Sequence, residues 1–222
     1  MRAYEQEQCM SIILGQQPNK HNVYTLEDFL RHDVKTGTIL SRNAQRTFHV
    51  SEDFIAGLQA GLEQEVGDAS AVILYKCGFQ WGLHDMRRFE TNVVREYGRD
   101  VQAMNFAFLM ETWWWPLQAT GWGSWEIDFS KNEQGIVVVN LYDSVMAKTL
   151  GEIGKPVCYL YAGLFAGVLT HLSRRPLAGI EIQCYAMGAN YCRFVIGSEK
   201  RVNAVEFWLE EGASACDVLA TP

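Results

Sequence analysis

Apolar and polar positions alternate with two different periods along this chain, and the change of period divides it. Up to about residue 120 the apolar residues recur at helical spacing. Residues 1–36 show only weak periodicity and read as an extension, with one short helix around residues 25–32. Ser51 is placed to cap a helix, with Glu52 and Asp53 favourable to its dipole, Phe54, Leu58 and Leu62 as its apolar stripe and Gly67 as its end. Asp68 starts a second helix carrying Val72, Leu74, Tyr75, Phe79 and Leu83. Within it Gly78 and Gly82 fall on one face and permit close approach of another element, which offsets their poor helix propensity. A polar stretch over 85–98 follows, then an apolar helix over 101–117 ending near Pro116.

From Gly121 the pattern becomes that of strands. Trp122, Ser124, Glu126 and Asp128 alternate with Gly123, Trp125, Ile127 and Phe129, and a turn over 131–135 leads into a β-branched strand over 136–142. A short helix over 143–150, a break at Gly154-Lys155-Pro156 and a long helix over 157–172 come next. Residues 178–186 and 191–197 form a hairpin across the turn at 187–190, and a last amphipathic helix carries Val202, Val205, Phe207, Trp208 and Leu209. The sum is an α+β domain, with helices packed on an antiparallel sheet that a crossing helix interrupts. The expected organisation is an N-terminal extension over 1–47 and a zinc- and ligand-binding domain over 48–222.

Composition narrows the function. A formal charge of −7 argues against a nucleic-acid partner, and the basic pairs Arg87-Arg88 and Arg174-Arg175 read as solvated helix ends. The N-terminus lacks a leader pattern, and the apolar run 157–172, interrupted by Tyr159, Tyr161, Thr170 and His171, is short for a membrane span. A cytoplasmic protein is expected, at most peripheral to a membrane. There the six cysteines read as metal ligands and core thiols rather than disulfides.

Three of those cysteines are grouped with an acid. Cys158 opens the long helix, where the dipole favours a thiolate, and Cys184 and Cys192 face each other across the hairpin. Glu181 lies three residues before Cys184, so both can point one way only if the strand bends near Gln183. Three sulfurs and one oxygen suit a tetrahedral zinc with no open position, a structural site; the dipole and Arg193 are the expected offsets to its negative charge. With no CxxC pair present, spacing alone leaves three neighbouring core thiols as an equal alternative. Cys77 reads as a core thiol, and Cys9 and Cys216 as incidental.

The string Ile180-Glu181-Ile182-Gln183-Cys184-Tyr185-Ala186-Met187-Gly188-Ala189-Asn190-Tyr191-Cys192-Arg193-Phe194, with Pro156-Val157-Cys158, Gly163 and Gly167 upstream, resembles the 4-vinyl-reductase domain family. The resemblance runs from about Phe48 to Phe207. It implies zinc on Cys158, Glu181, Cys184 and Cys192, as in the sensory domains of phenol- and xylene-responsive transcription activators. It also implies a fold similar to haem nitric-oxide-binding domains and trafficking-complex subunits, a hydrophobic ligand held between helices and sheet, and a homodimer. The chain carries neither the ATPase nor the DNA-binding module of an activator. It is most similar to free-standing members, including the bacteriochlorophyll-synthesis protein credited with reducing a vinyl group.

The run Trp113-Trp114-Trp115, with Trp122 and Trp125, supplies the candidate ligand wall together with Phe106, Phe108 and Met110. Successive helical residues diverge by about 100°, so the three tryptophans cannot share one core. The competing reading is core plus an oligomer contact. Trp122 and Trp125, three apart on a strand, are expected on opposite faces. His49, His84 and His171 are the candidate axial ligands for a metallo-tetrapyrrole. The leading expectation is therefore a non-catalytic, zinc-stabilised carrier or assembly factor for a chlorophyll-type tetrapyrrole at a photosynthetic membrane. The alternatives are a tetrapyrrole vinyl reductase, disfavoured by the absence of a GxGxxG fingerprint and of an acid–base pair, and a small-aromatic sensor acting through a protein partner.

Overall fold

The computed structural model describes residues 25–220. A single helical turn, α1 (Leu26–Phe29), leads into a small antiparallel sheet of β1 (Leu30–Asp33), β2 (Thr38–Ser41) and β3 (Arg46–Thr47). The helix expected over 25–32 is thus one turn, and the chain then becomes a strand. Strands of two to four residues are too short to show alternation, which is why this sheet is not visible in the pattern. It is tied to the helices behind it by the Arg95–Asn43 hydrogen bond and by Phe29 set edge-on to Trp115.

Helix α2 (Glu52–Val66) begins after Ser51 and closes at Gly67, whose φ of +56° needs a residue without Cβ. Its expected apolar stripe is turned around. Phe54 and Leu58 are exposed and Gln59 is the buried residue, because the helix rests on its neighbours through the face bearing Ile55 and Gln59. Helix α3 (Ala69–Tyr97) runs straight through the polar stretch at 85–98. The charged residues there form its outer face, while Met86 and Val93, one heptad apart, are buried. The segment expected as one helix over 101–117 is a 3₁₀ turn (Val101–Ala103) and then α4 (Phe106–Ala119). Asn105 caps α4 by accepting from the Phe108 N–H at 3.1 Å, and Pro116 lies inside the helix instead of ending it.

The main sheet joins β4 (Ser124–Asp128), β5 (Ile136–Tyr142), β6 (Ala178–Gln183) and β7 (Cys192–Gly197) in the order β4-β5-β7-β6, all antiparallel. Between β5 and β6 come the short α5 (Val145–Leu150) and the long α6 (Tyr159–Ser173). Alternation on the strands splits the core. Val139, Leu141, Phe194 and Ile196 face α4 and α6, whereas Ile136, Val138, Ile182 and Val195 face α7 (Glu199–Glu210) and α8 (Ala215–Ala220). The domain is therefore three layers, helix–sheet–helix. On α7, Val202 and Val205 are buried while Phe207 and Trp208 remain about half exposed.

The closest packing is between α3 and α6. A Cβ added at Gly78 would lie 1.9 Å from Leu160 O, and one at Gly82 would lie 2.2 Å from Leu164 O. The relation is reciprocal: Cβ atoms at Gly163 and Gly167 would meet Tyr75 O and Phe79 O at 2.0 and 2.2 Å. Two glycine pairs, each four residues apart, thus bring two backbones together without side chains between them. This is the close approach expected of Gly78 and Gly82.

Candidate metal centre and aromatic cluster

Four side chains converge where α6, β6 and β7 meet. Cys158 is the N-cap residue of α6, Glu181 lies on β6, Cys184 follows β6, and Cys192 opens β7. The register explains how they meet. Glu181 pairs with Phe194 but Gln183 pairs with Arg193, so one extra residue is accommodated on β6. That bulge reverses the face of everything after it and lets Glu181 and Cys184 point the same way.

All four residues are buried, and their potential ligand atoms lie within 4.8 Å of one another. Cys158 Sγ is 3.6 Å from Cys192 Sγ, which is 3.9 Å from Cys184 Sγ. Glu181 Oε2 accepts the Cys158 amide at 2.9 Å, fixing the carboxylate. Its other oxygen, Oε1, is buried with no hydrogen-bond partner. Three thiols and an orphaned carboxylate oxygen at these separations fit a cation: sulfurs about 2.3 Å from a tetrahedral ion stand just under 4 Å apart. The residues thus form a cluster that could hold a metal ion.

The electrostatics agree. Burial pushes the Glu181 carboxyl and the Cys158 thiol well above their usual values. Hydrogen bonds from Cys158 and Cys192 draw the Cys184 thiol down to about 2. Among protein groups alone, then, one thiolate forms at the expense of its neighbours. Full ionisation needs a positive charge in their midst. Arg193 does not supply it. Next to Cys192 on a strand, it projects to the other face of the sheet, where it binds Asn140 Oδ1 at 2.9 Å and Tyr191 OH. Two contacts to the cluster were not legible in the sequence: Ser144 Oγ, 3.3 Å from Cys158 Sγ, and the Tyr185 amide, 3.5 Å from Cys192 Sγ. Ser144 shows only the signature of a helix cap, a role it also fills for α5.

The aromatic residues form a second cluster in the same core. Trp113, Trp114 and Met110 are buried, and Trp125 stacks on Phe165 of α6 with centroids 5.5 Å apart. Trp114 lies 4.7 Å from Trp125 and 5.8 Å from Trp113. Trp115 points away to Phe29, as the divergence of helical positions requires. Trp122 precedes β4 rather than lying on it, and packs on Trp81 and Tyr161 against the core that also receives Trp125. Phe106 packs edge-on to Phe129, and Phe108 to Tyr97.

Two indoles of the cluster differ in one respect. Trp113 Nε1 donates to Asp85 at 2.8 Å, whereas Trp114 Nε1 is buried without an acceptor, as is the Thr112 hydroxyl.

Of the candidate axial ligands, His84 is exposed and His49 lies edge-on to His32. The His171 Nε2 is held by Glu90 at 2.5 Å, and Glu90 also binds Arg174 at 2.7 Å. Cys77, expected in the core, is exposed, because Gly78 and not Cys77 faces α6. Cys216 is partly exposed on α8, and Cys9 lies outside the described residues. Among the described residues no helix is long and apolar enough to cross a membrane.

Residues 137–198 match the model of the 4-vinyl-reductase domain. The matched segment contains all four residues of the metal-compatible cluster, and it excludes α4 with its three tryptophans. The chain is also similar to two uncharacterized proteins of Methanocaldococcus jannaschii. Each is 28% identical, over 60 and 76 residues, or 27% and 34% of this chain. The match spans 37% and 44% of those proteins, less than half of either. Across the greater part of the chain the likeness is one of fold. The phenol-responsive sensory domain of the transcription activator PoxR, solved with phenol, superposes with a TM-score of 0.63 and 18% identity, covering 81% of this chain and 89% of that one.

Proposed function

We propose that the protein is a non-catalytic receptor for a small planar aromatic molecule, with a structural zinc on Cys158, Glu181, Cys184 and Cys192. The observation that carries the ligand reading is Trp114. An indole N–H left unpaired in a dry core costs about 1–3 kcal/mol, and it sits among stacked rings where a planar molecule with one hydrogen-bond acceptor would find both stacking and a donor. Thr112 Oγ1, two residues earlier on α4, is a second unpaired group. A phenolic oxygen suits this chemistry, and the sensory domain sharing the fold is one solved with phenol. With ring centroids 4.7–5.8 Å apart, the cluster favours a single ring over the larger chlorophyll-type tetrapyrrole.

Zinc, when bound, would supply the positive charge that the four buried acidic groups lack, and four protein ligands leave no position for a substrate. The site then fastens α6 to the β6–β7 hairpin, and recognition falls to the aromatic cluster. Tryptophan-fluorescence titration of the zinc-loaded protein with phenol, toluene and a protoporphyrin tests the reading. Phenol is expected to bind, and Trp114→Phe is expected to weaken phenol but not toluene. Phenol affinity untouched by that substitution would sink the Trp114 assignment, and uptake of the porphyrin alone would restore the pigment carrier.

A further inference from the structure

The four-stranded sheet ends at β6, and that edge is set back between the two helical layers. On one side the wall is made by Val72 and Tyr75 of α3 with Ala162 of α6, and on the other by Val202 and Leu209 of α7 with Ala213 beyond it. The result is an open groove of about 1760 Å³ whose floor is the strand itself. One outward amide of that strand, Gly179 N–H, is met by the Tyr75 hydroxyl at 3.1 Å, which shows the direction in which the free edge donates. A sheet edge recessed between two layers has the dimensions of the strand it lacks.

The rim has one sign of charge. Glu199, Glu206, Glu210 and Asp217 border the groove, all exposed, against Lys200 alone among the basic residues that line it. We infer that this groove docks an extended basic segment of a partner protein, which adds to β6 as a fifth strand. Main-chain pairing to β6 supplies affinity, alternate apolar side chains enter the α3/α6 and α7 walls, and lysine or arginine at the flanks meets the acidic rim. Six residues of β6 set the docked length at about 20 Å. A second copy of this chain is the poorer occupant, since two such rims would repel each other. The inference does not depend on the small-molecule reading, which concerns the other face of the sheet.

The test uses the zinc-loaded chain and two fluorescein-labelled eight-residue peptides of alternating valine and threonine, one flanked by arginines and the other by glutamates. The arginine peptide is expected to bind at least about tenfold tighter by anisotropy, with affinity falling as salt is added. The double substitution Glu206→Lys with Glu210→Lys is expected to reverse the order. Amide exchange is expected to slow at 179–183 when the arginine peptide is present. Equal binding of both peptides, binding of neither, or protection confined to other elements overturns the proposal. So does protection of β6 without peptide in a protein that sediments as a dimer, because the occupant is then a second copy.

Discussion

Replacing Gly167 with alanine puts two physical effects in opposition, and the structure decides between them. Alanine is a better helix former than glycine by about 1 kcal/mol, and it also stiffens the unfolded chain. On that ground alone the substitution stabilises. At Gly167, however, the new Cβ would stand 2.2 Å from Phe79 O and 3.0 Å from Leu83 N, against backbone that cannot swing aside. Relief requires α3 and α6 to part by about 1 Å, and a gap of that size forfeits a quarter to a half of each dispersion contact along the seam. Overpacking of this kind costs about 1–3 kcal/mol, and here it is shared by four glycine positions, so a net loss of about 2 kcal/mol is expected. Gly57 and Gly61 of α2 provide the control. They have the same spacing, but nothing lies within 4 Å of an added Cβ at either, so alanine there should stabilise by up to about 1 kcal/mol. Urea unfolding at fixed zinc concentration measures both. If Gly167→Ala and Gly57→Ala shift the midpoint in the same direction, the packing argument is wrong.

Three further outcomes are expected. Elemental analysis should find one zinc per chain, and Cys184→Ser should release it with a lower melting temperature; stoichiometric metal in a variant lacking both Cys184 and Cys192 counts against the ligand set. Burial raises the Glu181 carboxyl above its unfolded value of about 4.5, so metal-stripped protein binds the extra proton when folded and should lose stability as pH rises from that value. Loaded protein should show the opposite trend, since protons compete with the ion, and Glu181→Gln should flatten the stripped protein's slope. Glu90→Ala leaves the buried His171 ring and Arg174 without their shared carboxylate, and thermal unfolding should report a loss of about 1–3 kcal/mol.

The elements of the second half were legible in the sequence because alternation and turn residues agree there, and β5 runs over the very residues that its β-branched pattern marks. The bend that the Glu181–Cys184 spacing demands exists as the bulge. The first half was harder to read. The stretch 85–98 looks like a loop because its charges outnumber its core positions, although Met86 and Val93 keep one face buried. On α2 the apolar residues give the wrong face, since Phe54 and Leu58 lie outside. Gly78 and Gly82 announce a close approach but not its partner, because nothing local connects them to residues so far along the chain. The unpaired state of Trp114 Nε1 is a matter of three-dimensional neighbours, and no run of letters encodes it.

The position of Cys158 has a consequence for α6 as a whole. It gives its amide to Glu181 and its sulfur to the cluster, so the first residue of the helix is fixed in rotation as well as in place. A slip of one residue would turn α6 by about 100° and swing Gly163 and Gly167 away from α3. The cluster thus works as a phase mark for a helix that must meet its partner with only one of its faces. Gly167, about 14 Å along the helix from Cys158, inherits its angular setting from an anchor it never touches.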